Sequence, residues 1–281
     1  MELSLAVTLA VLGAGFLHAA WNALLKASEG GDALLDTTTV VVGASCCALI
    51  TLPFLPLPDR ASWPYLVASA TIHFGYYVTL SQAYKMGDLS FAYPLMRGTA
   101  PLIVTALGSI FLRELPSGQM MLGILLISLG IVSIAFLQRR AHTASAAYWA
   151  FANAAIIATY TLVDGAGARA SGNALAYVGW LIAFEGMPFA LWVFARRKAT
   201  AVSYLRSHWR LGLIGGACSL AAYGIVLWAM TRAPIAAVAA LRETSVLFAA
   251  LMGSLWLKEG FGWRRIAGAA SVVLGIAALK L

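Results

Sequence analysis

The stretch RGTAPLIVTALGSIFLRE, residues 97–114, decides how the chain is read, because RETSVLFAALMGSLWLKE stands at residues 242–259, an offset of 145. Arg97, Thr99, Leu102, Gly108, Ser109, Leu112 and Glu114 fall on Arg242, Thr244, Leu247, Gly253, Ser254, Leu257 and Glu259. The same offset continues without a gap and sets Gly123, Leu129, Gly130 and Ile131 on Gly268, Leu274, Gly275 and Ile276. Eleven of the 35 positions from 97 to 131 are then identical. Leucines coincide easily in so apolar a chain, whereas an arginine pair, a glutamate pair and three glycine pairs do not. The chain therefore reads as two homologous halves, 1–140 and 146–281, each with an arginine inside a membrane span.

Hydrophobic residues make up 61% of the 281 and charged residues 11%, proportions foreign to a soluble domain. Apolar runs long enough to cross about 30 Å of hydrocarbon at 1.5 Å per residue recur along the whole length. They number ten, at roughly 4–26, 34–55, 62–83, 90–112, 118–138, 146–167, 173–195, 209–231, 234–257 and 261–280. Unbroken runs rather than period-two alternation predict helices and exclude a barrel. The expected fold is an all-α membrane protein of ten transmembrane helices. Five spans per half is an odd number, so the halves enter the membrane as inverted five-helix repeats. The first span starts almost at Met1 without a basic stretch or small-residue cleavage site and is expected to be retained. Cys46, Cys47 and Cys218 lie in predicted spans without metal-ligand spacing and read as small packing residues. No metal or cofactor is expected. The net charge of +8 sits mostly at helix ends, which speaks for membrane topology and against nucleic acid.

Polar residues inside the spans are the candidates for chemistry. In the first span His18, Asn22 and Lys26 are spaced i, i+4, i+8 and form one stripe beside Trp21, either an interhelical hydrogen-bonding face or a cavity wall. The second span is nearly featureless and expected at the periphery. In the third, His73, Tyr77 and Tyr84 share a face, with Tyr76 only their neighbour. The fourth holds Tyr93 and Arg97 between Pro94 and Pro101; each proline removes a backbone donor, so a kink or interruption is expected there. Asn153, Tyr160 and Asp164 fall on one face of the sixth, with Asp164 near a rim that is either solvated or binding. Glu185 sits mid-span in the seventh and must be protonated, paired with an arginine or facing water. Residues 196–210 read as the longest polar loop. Tyr223 and Trp228 mark the eighth span, and Arg242 and Glu243 the middle of the ninth. Adjacent helical residues point about 100° apart, so one of these two can touch a ligand while the other bonds a neighbouring helix.

Orientation pits two readings against each other. Twelve Lys and Arg lie on the side of the 1–2, 3–4, 5–6, 7–8 and 9–10 connections and five on the other, which places both termini outside the cytoplasm.

Ten spans, two inverted halves and the doubled Gly–Ser–x–x–Leu–basic–Glu ending of spans 4 and 9 resemble the drug/metabolite transporter superfamily, in particular paired EamA-type domains. The segment His18–Ala19–Ala20–Trp21–Asn22 with Lys26 also resembles an EamA-type subgroup associated with phosphonate utilisation. The resemblance implies both termini in the cytoplasm, against the charge count. It also implies a cavity between the halves lined by helices 1, 3, 4, 6, 8 and 9, with helices 5 and 10 packing peripherally. The expected function is secondary transport of a small organic anion or zwitterion, such as an amino acid, phosphonate or phosphorylated metabolite, by alternating access; export of cationic or drug-like compounds is the alternative. Expected substrate-binding residues are His18, Trp21, Asn22, His73, Tyr77, Tyr93, Arg97, Tyr160, Tyr223, Trp228, Arg242 and Glu243, with Glu185 as proton carrier; internal pairing of Arg242 with Glu185 is the competing reading. No Walker-type loop appears, so energy would come from a coupling proton or an exchanged counter-substrate. No nucleophile–base constellation points to an enzyme. An open pore would lack the saturable counterflow of a carrier. The partners are then a small molecule and the lipid bilayer, the chain sufficing as a monomer in a bacterial cytoplasmic (inner) membrane.

Overall fold

The computed structural model describes residues 3–27, 32–86, 89–136, 143–256 and 263–280. It is all-α, and a helix stands at each of the ten apolar stretches. These are α1 (Leu5–Ala27), α2 (Ala33–Thr51), α3 (Trp63–Met86), α4 (Leu89–Phe111), α5 (Gly118–Ala135), α6 (Ala144–Ala170), α7 (Ala174–Ser207), α8 (Trp209–Met230), α9 (Ile235–Arg242), α10 (Ser245–Trp256) and α11 (Trp263–Lys280). The ninth stretch is the divided one. Among the described residues, eight segments are long and apolar enough to cross a membrane, and Ala267–Lys280 is a shorter apolar helix. The eight leave out α3, which is long but carries Ser69, Thr71, His73, Thr79 and Gln82 along it.

Helix starts follow from short polar side chains that satisfy free backbone donors. Asp32 accepts from the Leu34 and Leu35 amides, Ser117 from Met120, Thr143 from Ala146 and Asn173 from Ala176. Two expected boundaries fail. The 196–210 segment is helical rather than a loop: α7 runs to Ser207 across a kink at Lys198, whose φ of 35° and ψ of −114° are not helical. Tertiary contacts hold its last turns, since the Tyr204 hydroxyl donates to Asp36 at 2.7 Å and Arg197 pairs with Asp32 at 3.2 Å. In the other case α4 is continuous despite Pro94 and Pro101, while the chain breaks at Glu243–Thr244, where no proline stands. There the amides of Glu243, Thr244, Val246 and Leu247 bond three residues back instead of four, a local tightening into 3₁₀ geometry.

Small residues set the closest approaches, as expected where lipid gives no hydrophobic drive to association. On α5 and α11, a Cβ on Gly123 would lie 2.8 Å from the Gly275 carbonyl, and one on Gly130 2.9 Å from the Gly268 carbonyl. The early glycine of one helix meets the late one of the other, so the two run antiparallel. Replacing each residue by its counterpart 145 positions away exchanges these contacts. The second helix is not peripheral, contrary to its featureless sequence: α2 packs on α7 and α8, and a Cβ on Gly43 would fall 1.9 Å from the Gly212 carbonyl. Of the cysteines, Cys46 is exposed and Cys47 and Cys218 half-exposed, none disulfide-bonded, so they lie on the bundle surface rather than in its core.

Candidate functional site

A cavity of about 260 Å³ lies between the helices of the two halves. Helices α1 to α4 line it with the portions nearest the α1–α2 and α3–α4 connections: His18, Trp21 and Asn22 from α1, Val40 and Val41 from α2, His73, Tyr76 and Tyr77 from α3, and Tyr93 and Arg97 from α4. Tyr160, Glu185, Tyr223 and Arg242 complete it from the second half. Val7 and Val11 of α1, Val104 of α4 and Ile235 of α9 belong to one buried apolar cluster.

Eleven of the thirteen residues expected from the sequence thus come together. The exceptions have geometric reasons. Trp228 is five residues beyond Tyr223, about 140° round the helix, and its indole lies 5.0 Å from the Arg232 guanidinium instead of in the cavity. Glu243 is buried behind the wall, its Oε2 2.6 Å from Arg97 Nε. Tyr76, set aside in the sequence, does line the cavity: His73, Tyr76 and Tyr77 are i, i+3, i+4 and share a face. Both α2 and α7 contribute walls that the family resemblance did not imply. The side chains of Lys26 and Tyr84 lie outside the described residues.

The first stripe is internally bonded. The Trp21 indole N–H donates to His18 Nδ1 at 3.4 Å, and Asn22 Nδ2 donates to the His18 carbonyl at 2.7 Å. His73 bridges α3 and α7, with Nδ1 3.0 Å from the Ser69 carbonyl and Nε2 3.3 Å from Glu185 Oε2. Tyr160 leans on the His73 ring at 4.3 Å, and Tyr77 stacks on Phe189 at 4.5 Å. Asn153 stands away from the cavity, its amide donating to Thr79 Oγ1 at 2.8 Å and to the Tyr76 carbonyl at 3.1 Å.

The two arginines differ. Arg97 is 6% exposed, is neutralised by Glu243 and donates to Ser245 Oγ at 3.4 Å. Arg242 is half-buried, its guanidinium 5.3 Å from the Tyr223 ring, and among the described residues no carboxylate lies within 4 Å of it. The expected alternative of an Arg242–Glu185 bridge does not form, because Glu185 is held by His73. The repeat explains the inequality. Glu243 corresponds to Gly98 under the 145-residue offset, and a Cβ on Gly98 would lie 2.6 Å from Val132 Cγ2. The first half has no room for the carboxylate that would neutralise Arg242.

Sequence reasoning missed two features. Asp164 is not at a rim: it is fully buried and accepts from the Tyr177 hydroxyl at 3.1 Å and the Tyr223 hydroxyl at 2.5 Å. Its i, i+4 spacing from Tyr160 was the available signal. The other is Arg169, which pairs with Glu114 and donates to the carbonyls of Met230 and Ala233, at 2.7 and 3.1 Å. The second Glu114 oxygen accepts from the Ile235 amide at 2.9 Å. One ion pair thereby satisfies the last carbonyl of α8, a carbonyl of the α8–α9 connection and the free amide opening α9. Glu114 belongs to the doubled stretch; its counterpart Glu259 lies outside the described residues.

Helices long and apolar enough to span a bilayer, enclosing a charged and aromatic cavity, define an integral multi-pass membrane protein with an internal polar site. The EamA-like transporter family matches the sequence twice, over residues 5–136 and 144–281, and the chain belongs to that family. No curated protein matches the sequence significantly. The fold is a shared one, matched by 29 solved chains; among them a crystal structure of a protein has a TM-score of 0.78 at 19% identity over 98% of each chain. The chain is a membrane transporter of the drug/metabolite superfamily.

Proposed function

We propose that this chain is a secondary transporter for a small organic anion or zwitterion, bound at Arg242 and carried by alternating access between two inverted five-helix halves. The observation that carries the cargo class is Arg242, a cation on the cavity wall that, among the described residues, has no carboxylate within 4 Å. An arginine inside a membrane span costs about 2.5–3.5 kcal/mol on insertion scales, and a carboxylate, phosphonate or phosphate arriving in the cavity offers the missing countercharge in bidentate form. His18, Trp21, Asn22, His73, Tyr77, Tyr93, Tyr160 and Tyr223 surround that position, while Arg97 and Glu243 hold the wall behind it. The inverted arrangement draws support from the 145-residue repeat and from the exchanged glycine contacts of α5 and α11. It is also consistent with α3 packing on α6 as α1 packs on α8. A bacterial inner membrane is the compartment we assign.

One observation favours cationic cargo instead: Glu185 also reaches the cavity wall. Thermal unfolding of the detergent-solubilised protein with amino acids, phosphonates, phosphorylated metabolites, sugars and quaternary amines separates the two. Stabilisation by anions or zwitterions that Arg242→Gln abolishes is the expected result. A response to quaternary amines alone, lost in Glu185→Gln, overturns it.

A further inference from the structure

Asp164 is a completely buried carboxylate whose hydrogen-bond partners are hydroxyls. Tyr177 and Tyr223 each donate to one of its oxygens, and among the described residues no basic side chain lies within 4 Å of it. A buried carboxylate bonded by hydroxyls, with the His73 imidazole as its neighbouring basic group, is costly inside a membrane and marks function by default. A two-hydroxyl cage suits both protonation states: the anion accepts from both tyrosines, and the neutral acid donates to one while accepting from the other. Of the two, Tyr223 lines the cavity, and its ring lies against the Arg242 guanidinium.

The charged and titratable neighbours come from every side. Helix α3 presents His73 together with the Ser69 hydroxyl, and α7 presents Glu185 beside Tyr177. Helix α8 supplies Tyr223, with Arg242 of α9 across its ring. Helix α4 meets α6 in an apolar cluster that includes Val104, Ala158 and Leu162, and its own Arg97 is held by Glu243.

We propose that Asp164 is the proton-carrying site of this transporter, loaded through the Tyr223 hydroxyl, and that its protonation favours anion binding at Arg242. The second clause rests on the anion reading above; the first does not. In loading, Tyr223 gives its hydroxyl proton to Asp164 Oδ2 and accepts one from a hydronium ion that has entered the cavity, which is left as neutral water. One O–H bond breaks and one forms at the tyrosine, and the carboxylate becomes a neutral acid. Asp164 then donates to the Tyr223 oxygen, so the tyrosine hydrogen turns to the cavity as a further donor beside Arg242. Ionised, Asp164 captures that hydrogen and sets a negative charge near the anion position, and both changes oppose the anion. Proton and anion therefore bind cooperatively, each raising the affinity for the other by the same factor.

Infrared difference spectroscopy of the purified, ligand-free protein tests the first clause. A protonated-carboxyl band that titrates as pH is stepped, and that is missing from Asp164→Asn, is the expected result. A band that persists at every pH, or an Asp164 contribution that never appears, overturns the proposal whatever the cargo is. Methanesulfonate, which does not itself titrate in the working range, then probes the coupling by thermal shift. Its affinity in wild type is expected to rise toward about tenfold per unit fall in pH, the limit for one proton taken up per anion, and to be flat in Asp164→Asn. Should Asp164→Asn fail to fold, Tyr223→Phe replaces it: with the loading hydroxyl gone, the titrating band and the pH dependence of binding are both expected to be lost. Binding that is equally pH-dependent in Tyr223→Phe overturns the relay. Absence of any anion response in wild type and Arg242→Gln alike instead sinks the anion reading, and with it the coupling, while the infrared result still decides Asp164.

Discussion

In α4, Arg97 sits in an unbroken helix between two prolines; in the second copy Arg242 ends α9, and the helix restarts at Ser245 although Ala239 and Val246 occupy the proline positions. Pro101 removes the donor that would reach the Arg97 carbonyl, yet α4, packed against α5 and α6, continues through it. In the second copy the tightened turn brings Glu243 beside Arg97 and leaves Arg242 on the cavity wall. The charged residue after the arginine, and not the prolines, separates the two copies. Glu243 has room because it reaches across to α4, whereas Gly98 faces Val132 and the Ser128 carbonyl at 2.6 and 2.9 Å from any Cβ. Two arginines at equivalent positions of the repeat are thus one structural cation and one on the cavity wall.

The largest effect that could break this comparison belongs to Glu243→Gln. It leaves Arg97 buried and unpaired, and removing one partner of a buried ion pair costs about 3–5 kcal/mol. The thermal midpoint in detergent should fall steeply, and Arg97→Met combined with Glu243→Met should recover most of it, since apolar replacement of both partners is often near neutral. A single variant as stable as wild type would contradict the structural role of Arg97.

Next in size is Arg242→Gln, which is expected to unfold near the wild-type midpoint without ligand but to lose the ligand-induced shift. That shift is about 2.7 kcal/mol at a hundredfold excess over the dissociation constant, and its survival in the variant would move the binding role elsewhere. Gly98→Ala is expected to destabilise by about 1–3 kcal/mol through overpacking against α5, read by the same unfolding measurement. Wild-type stability there would show that the first half could have held a carboxylate after all. Pro101→Ala sharpens the comparison at its small end. Restoring an amide to the Arg97 carbonyl should change stability by no more than about 1 kcal/mol, and a larger loss would mean that the proline shapes α4.

Much of the site was legible because polar residues inside apolar runs are few and costly, so His18, Asn22, His73, Arg97, Glu185 and Arg242 identified themselves. Partnership was less legible. Asp164 stands close to the end of its predicted span, and nothing local distinguishes a solvated rim from a cage built by Tyr177 and Tyr223, thirteen and 59 residues away. The importance of α2 was hidden for a similar reason: its contacts are made by Gly43 and Ala44 against Gly212 and Gly216, residues whose significance is the absence of a side chain.

By itself, then, the sequence determined the all-helical class, the placement of the helices and the doubling of the chain, because these depend on hydropathy, length and an offset between like residues. Tertiary structure alone decided that α7 continues past Lys198, that the ninth segment breaks where no proline stands, and that Glu243 rather than Glu185 takes an arginine. Each of these turns on which side chain from a distant helix arrives within bonding distance. Such arrivals are fixed by the packing of small residues across the bundle, and hydropathy along one helix carries no record of them.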